Sequence, residues 1–188
     1  CSACSNTCLT CVTSSTNCLT CDSNKYRVIS GSTCPCMAKY YDNGITSGIC
    51  QACSHKCATC TTDSTNCATC ADGTRSSAPA CGCINKYYDD GTSAACIVCD
   101  YSCRTCLNAS TCDTCDNSAS VQRIMDLVTY KCRCNIRYYD DGSNEACLAC
   151  SATCLTCITS AANCQSCNST AHRELISAGI CSCMAKYY

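Results

Sequence analysis

Cysteine recurs in this 188-residue chain on one fixed spacing, four times over. Each set reads C-x2-C-x3-C-x2-C, then five or six residues, then C-x2-C, a gap of variable length, and C-x-C. The first set is Cys1, Cys4, Cys8, Cys11, Cys18, Cys21, Cys34 and Cys36. The second is Cys50, Cys53, Cys57, Cys60, Cys67, Cys70, Cys81 and Cys83. The third is Cys96, Cys99, Cys103, Cys106, Cys112, Cys115, Cys132 and Cys134. The fourth is Cys147, Cys150, Cys154, Cys157, Cys164, Cys167, Cys181 and Cys183. A fixed period of this kind is the mark of a tandem array. The modules are 1–49, 50–95, 96–146 and a shorter fourth, 147–188.

Ordinary core formation is excluded by composition. Leu, Ile and Val number 22, and Phe and Trp are absent, so one shared apolar core cannot be built. No run of about 18 apolar residues is present to cross a membrane. The 13 basic and 14 acidic residues nearly cancel, which gives no electrostatic case for nucleic acid or for an anionic membrane surface. The expected class is therefore small disulfide-rich tandem repeats with little regular secondary structure, short β-hairpins, and an extended rod as the overall form.

Length variation concentrates between the sixth and seventh cysteines, the signature of a surface loop. In the third copy Val121–Val128 alternates enough for a short hairpin. After each C-x-C comes a constant run: Lys39-Tyr40-Tyr41-Asp42-Asn43-Gly44, Lys86-Tyr87-Tyr88-Asp89-Asp90-Gly91 and Arg137-Tyr138-Tyr139-Asp140-Asp141-Gly142. Asn-Gly and Asp-Gly predict tight two-residue hairpin turns. The expected role of the tyrosines is packing, one ring on a disulfide and the other over the joint between modules. The closely spaced cysteines at the start of each module predict irregular coil and short turns. His55 and His172 occupy non-equivalent positions and are expected in solvent.

Disulfides, metal and redox chemistry compete for the cysteines. C-x-x-C occurs twelve times, and one copy alone suits a redox motif or half a zinc site. Nothing resembles the βαβ context a thioredoxin-like pair requires. The three-residue centre is tight for a zinc ribbon, and no histidine recurs as a ligand. An even cysteine count in modules too small to fold on apolar burial favours structural disulfides, and with them an oxidising, extracellular setting. No catalytic residue, cofactor site or metal site is expected.

The full pattern, C-x2-C-x3-C-x2-C…C-x2-C…C-x-C…Tyr-Tyr-Asp-x-Gly…C, resembles the furin-like, growth-factor-receptor-type cysteine-rich repeat. It is similar in layout to the R-spondin furin-like modules and to cysteine-rich surface proteins of ciliates. Spacing alone leaves 105 pairings per module open. The resemblance implies second with fourth, third with fifth, sixth with seventh, and eighth with the first cysteine of the next module. In the first module that gives Cys4–Cys11, Cys8–Cys18, Cys21–Cys34 and Cys36–Cys50. In the second it gives Cys53–Cys60, Cys57–Cys67, Cys70–Cys81 and Cys83–Cys96. In the third it gives Cys99–Cys106, Cys103–Cys112, Cys115–Cys132 and Cys134–Cys147, and in the fourth Cys150–Cys157, Cys154–Cys164 and Cys167–Cys181. Cys1 and Cys183 are left over in complementary roles.

The functional expectation is a non-enzymatic structural protein of the cell exterior, part of a filament or surface coat. Its expected partners are copies of itself or further modules of the same chain, head to tail, as for a window cut from a longer array. N-linked glycan is expected at Asn108 and Asn168, each in an Asn-x-Ser/Thr sequon. The alternative is an ectodomain segment that binds a protein ligand or receptor.

Overall fold

A computed structural model of the chain describes residues 1–45, 47–176 and 179–188. Among these residues there is no α-helix. Regular structure consists of antiparallel two-stranded sheets and the single-turn 3-10 helices Ser23–Lys25 and Ser169–Ala171. Three kinds of hairpin recur.

The first kind lies inside the run of closely spaced cysteines. Strands β1 (Cys8–Cys11) and β2 (Cys18–Cys21) pair in the first module. Their tyrosine-bearing successors are β3 (Tyr40–Tyr41) and β4 (Gln51–Ala52). The first kind then recurs as β5 (Cys57–Cys60) with β6 (Cys67–Cys70). After the tyrosine pair β7 (Tyr87–Tyr88) and β8 (Ile97–Val98), it recurs as β9 (Thr105–Asn108) with β10 (Thr111–Thr114). The sequence expectation of irregular coil is corrected here. Every such ladder is strand-paired but carries register shifts, so the extra residues bulge out and no apolar alternation is visible in the sequence. A cross-strand hydroxyl pair marks each one: Thr10 with Thr20 at 2.6 Å, Thr59 with Thr69 at 2.7 Å, Thr105 with Thr114 at 2.6 Å, and Thr156 with Ser166 at 2.6 Å.

The second kind is the variable loop. In the third module β11 (Arg123–Asp126) pairs with β12 (Lys131–Cys134) in unbroken register, the hairpin that its alternation predicts. The tyrosine strand β13 (Tyr138–Tyr139) pairs with β14 (Leu148–Ala149). In the fourth module β15 (Cys154–Cys157) pairs with β16 (Cys164–Cys167), and β17 (Arg173–Ile176) with β18 (Ile180–Cys183). The shorter loops of the first two modules keep only isolated bridges, Arg27 with Cys36, Ser30 with Thr33, and Arg75 with Cys83.

The third kind, the tyrosine hairpin, differs from expectation at its turn. The partner of Tyr41 is Gln51, so the connection runs from Asp42 to Cys50 and is not a two-residue turn. The aspartate bends it through its side chain: the N–H of Gly44, Gly91 or Gly142 donates to Oδ1 of Asp42, Asp89 or Asp140 at 3.0 Å. These are Asx turns.

The interior is made of cystine. Every buried apolar residue among the described ones is a cysteine. Four clusters form, built around Cys8, Cys18 and Cys34; around Cys57, Cys60, Cys67 and Cys81; around Cys99, Cys103, Cys106, Cys112 and Cys132; and around Cys154, Cys157, Cys164 and Cys181. A buried cysteine behaves as a small hydrophobe, and each cystine also restricts the unfolded chain. Loops of this size contribute roughly 2–3 kcal/mol each in the chain-entropy picture.

The chain divides into two compact units. One is Cys1–Ile84 with Asp89–Cys96; the other is Asn85–Tyr88 with Ile97–Tyr188. The division does not follow the sequence repeat, because the segment Asn85–Tyr88 belongs with the residues after Cys96.

Candidate functional site: the joint between modules

The joint is built from four parts, and the first is backbone. The residue before each tyrosine pair is left-handed: Lys39 at φ 66°, Lys86 at 74°, Arg137 at 70° and Lys186 at 80°. That conformation is uncommon for a residue with a side chain. It aims both peptide groups at the receiving module. The N–H of Lys39, Lys86 and Arg137 donates to the carbonyls of Ala58, Arg104 and Leu155 at 3.2, 2.8 and 2.9 Å. Their carbonyls accept from Cys53, Cys99 and Cys150, each at 2.8 Å.

The second part is the tyrosine pair. Its second ring packs on the receiving cystine cluster: Tyr41 against the one around Cys57, Tyr88 against the one around Cys103, Tyr139 against the one around Cys154. Its first ring can stack inside its own module, as Tyr40 does on Tyr26, with centroids 4.2 Å apart, and Tyr187 on His172, 3.9 Å apart. His172 is exposed, as expected, with one face of its ring against Tyr187.

The third part is an arginine that no fixed spacing in the sequence marks. Arg27, Arg75 and Arg123 are 3%, 5% and 0% exposed. Each lies in the variable loop and donates to the carbonyl of the seventh cysteine, Cys34, Cys81 or Cys132, at 2.9, 3.1 and 3.2 Å. Each Nε donates to the far side of the next loop, to Gly48, Ala94 or Glu145, at 2.6 Å. Each also holds the aspartate of the Tyr-Tyr-Asp run: Arg27 with Asp42 at 2.5 Å, Arg75 with Asp89 at 2.9 Å, Arg123 with Asp140 at 2.6 Å. Only a planar fork of five donors can serve so many acceptors at once, and that satisfaction is what permits a buried charge. No buried polar side-chain atom lacks a partner among the described residues. Arg173 is the fourth member; it reaches the Cys181 carbonyl at 3.4 Å. One arginine stands in each gap between the sixth and seventh cysteines. Its offset shifts with loop length, which hides it from a search for fixed spacing.

Electrostatics follow the geometry. The Arg27 hydrogen bond, then the Gly44 N–H, hold Asp42 below the usual carboxylate range. Asp89 lies well below it, chiefly through Arg75 and against partial burial, with help from the Gly91 N–H and from His55. His55 is half-buried, with Nε2 2.9 Å from Asp89 Oδ1, so the expectation of a solvent histidine is corrected. At Asp140 burial pushes upward, yet Arg123, the Gly142 N–H and the Tyr101 hydroxyl together bring it down. Tyr101 fills the third-module position that His55 fills in the second. Its hydroxyl donates to Asp140 at 3.0 Å, and its ring lies under the Arg123 guanidinium, 5.2 Å from centroid to Cζ.

The fourth part is covalent. Cys36–Cys50, Cys83–Cys96 and Cys134–Cys147 close the loops that the arginines brace. The other cystines are Cys4–Cys11, Cys8–Cys18, Cys21–Cys34, Cys53–Cys60, Cys57–Cys67 and Cys70–Cys81, and Cys99–Cys106, Cys103–Cys112, Cys115–Cys132, Cys150–Cys157, Cys154–Cys164 and Cys167–Cys181. These are the pairs that the resemblance implies. Cys1 and Cys183 carry free thiols. The sulfurs of Cys154, Cys164 and Cys181 lie within 4.8 Å of one another, but all three belong to cystines and offer no thiolate to a metal.

The sequon asparagines lie apart from the joint. Asn108 ends β9 and is exposed; its Oδ1 accepts from the Ser110 and Thr111 N–H groups, both at 3.0 Å. Asn168 is half-buried ahead of the Ser169–Ala171 turn and accepts from the Thr170 hydroxyl at 2.6 Å. Among the described residues no helix is long and apolar enough to cross a membrane. No protein-family model matches the chain, and neither does any curated protein or solved structure.

Proposed function

We propose that the chain is a structural protein of the cell exterior, a run of furin-like modules that forms part of a filament or surface coat. Heavy disulfide bonding fits an extracellular structural or ligand-binding module. The observation that carries the structural reading is the recurrence of one joint. The same left-handed residue, tyrosine pair, arginine–aspartate pair and cystine appear at Lys39–Cys50, Lys86–Cys96 and Arg137–Cys147. Such a joint has a giving side and a receiving side, so its repetition is head to tail, and a head-to-tail contact that does not close gives an open filament. Its partners are like modules, in the same chain or in stacked copies. The reading needs neither catalysis nor a cofactor.

Electron microscopy of the native material tests it. Filaments or a layered coat are expected; discrete particles overturn it. Glycan at Asn108 and Asn168 belongs to the same reading, and peptide masses showing bare asparagine at both remove that part. One observation favours ligand binding instead: at the tip of the third hairpin Leu127, Val128 and Tyr130 are 77%, 87% and 54% exposed. If that tip is a binding surface, L127S together with V128S abolishes capture of the ligand and leaves filaments unchanged.

A further inference from the structure

Asn43 is the one asparagine in the chain that a glycine follows. With no side chain of its own, glycine leaves the peptide nitrogen behind an asparagine unshielded. Gly44 is exposed, at φ +74°, and a Cβ built on it would meet nothing within 4 Å.

Three groups converge on this turn. The Asn43 carboxamide is folded back along the chain, because its Oδ1 accepts from the Ile45 N–H at 3.1 Å. A side-chain closure of that kind carries Cγ toward the intervening Gly44 nitrogen. The Gly44 N–H donates to Asp42 Oδ1 at 3.0 Å, within the reach at which a carboxylate can take a proton. The other oxygen of that carboxylate is held by Arg27, which fixes its orientation. An electrophilic carbon therefore has a nucleophilic nitrogen beside it, a base on that nitrogen's proton, and a donor on the oxygen that gains charge.

The second and third modules already hold an acid at this place. Asp90 and Asp141 stand where Asn43 stands. Asp90 Oδ1 accepts from the Thr92 and Ser93 N–H groups at 2.9 and 2.7 Å, and Asp141 Oδ1 from those of Ser143 and Asn144 at 3.0 and 2.9 Å. Hydrogen bonds from Ser93 and Thr92 hold Asp90 well below the ordinary carboxylate range, as those from Asn144 and Ser143 hold Asp141. Ionised carboxylates are poor electrophiles, so the chemistry open to Asn43 is closed to its two counterparts.

We infer that the Asp42-Asn43-Gly44 turn is a self-modification site, at which Asp42 is the base for deamidation of Asn43 and water is the co-reactant. The Gly44 nitrogen bonds to Asn43 Cγ and passes its proton to Asp42 Oδ1. The Cγ–Nδ2 bond then breaks, and the amide nitrogen leaves as ammonia with that proton. Water opens the cyclic imide that remains. Opening on the Cγ side leaves an aspartate at position 43, which makes the first joint match the other two. Opening on the main-chain side leaves an isoaspartyl linkage, which lengthens by one methylene the loop closed by Cys36–Cys50. The site is independent of whether the chain builds filaments.

The whole chain with its cystines intact, and the same chain reduced and alkylated, are incubated side by side, and the peptide that holds Asn43 is weighed over time. The inference expects the amide-to-acid mass change to accumulate about tenfold faster in the folded chain. Asn108, in a similar turn but followed by Ala109, should stay amidated. Between about pH 5 and 7 the folded chain's rate should be nearly flat, as for an ionised internal base, while the reduced chain's rate rises with hydroxide. Asp42→Asn keeps an oxygen for the Gly44 N–H but cannot take its proton; it should slow the reaction about tenfold and restore the dependence on hydroxide. A folded chain no faster than the reduced one overturns the inference. So does a folded-chain rate that climbs with hydroxide as steeply as the reduced chain's, or one that Asp42→Asn leaves unmoved.

Discussion

Nη1 of Arg123 donates to Oδ2 of Asp140 at 2.6 Å, from a residue with no exposed surface to one about a third exposed. This pair ties the variable loop, which precedes Cys132, to the loop closed by Cys134–Cys147. Two loops that share no cystine are thus joined through one ion pair. The same relation holds between Arg27 and Asp42 and between Arg75 and Asp89.

Replacing the arginine should therefore loosen both loops at once. Arg123→Met takes the guanidinium away from the Cys132, Glu145 and Asn144 carbonyls and from Asp140, which keeps only the Gly142 N–H and the Tyr101 hydroxyl of the donors described. Lost hydrogen bonds from a charged group cost roughly 1.5–3 kcal/mol. Native-state hydrogen exchange should show faster exchange at Cys147, whose N–H donates to Val121, and in β11 and β12. Arg123→Lys should recover little, because an ammonium cannot span those acceptors. Exchange confined to one loop would contradict the coupling.

Acid should have the same effect without a mutation. The arginine hydrogen bonds, with the glycine N–H groups, hold Asp42 and Asp89 below the ordinary carboxylate range, and at Asp140 they do so against burial. A depressed folded-state pKa contributes stability that is complete above the unfolded value, near 3.8, and is lost as pH falls through the folded value. Protection of these loops should be flat from neutral pH down to about 4 and should fall below it. Asp89→Asn should remove that acid-dependent part in the second module alone. Loss of protection above pH 5 would contradict the assignment.

Gly48 offers a test of local packing. Its φ is +68°, and a Cβ placed there would lie 2.5 Å from the Asn6 carbonyl oxygen, while its own carbonyl accepts from Arg27. Gly48→Ala must therefore strain the backbone and displace Asn6. A loss above about 1 kcal/mol is expected, read as faster exchange in the first module with the third unchanged. Gly91→Ala, at φ +79° but facing open space, should cost less.

The cysteine register made the modular class legible in the sequence, alternation in Val121–Val128 pointed to the third-module hairpin, and the left-over cysteines followed from the pairing that the resemblance implies. The loops could be placed because length variation concentrates in them, and the tyrosines because they follow each C-x-C at constant spacing. Other elements were hidden for physical reasons. Bulges in β1–β2 and its repeats break the two-residue alternation by which a strand is recognised. The aspartate bends the chain through its side chain, so an Asp-Gly pair in the sequence looked like a tight turn. The buried arginines sit in loops of different length, and an arginine in a polar loop ordinarily reads as a solvated charge. His55 acquires its partner, Asp89, only after the chain has folded back over 34 residues.

The central claim is that consecutive sequence repeats are locked together by cystines that cross the repeat boundary, with the remaining bonds kept inside each repeat. Digestion without reduction, at acid pH to prevent exchange, followed by mass analysis of the linked peptides tests it directly. The account predicts linked peptides for Cys36–Cys50, Cys83–Cys96 and Cys134–Cys147, and in the 188-residue chain alkylation at Cys1 and Cys183 only. Eighth cysteines bonded within their own repeat, or several alkylated cysteines in any one module, would contradict it.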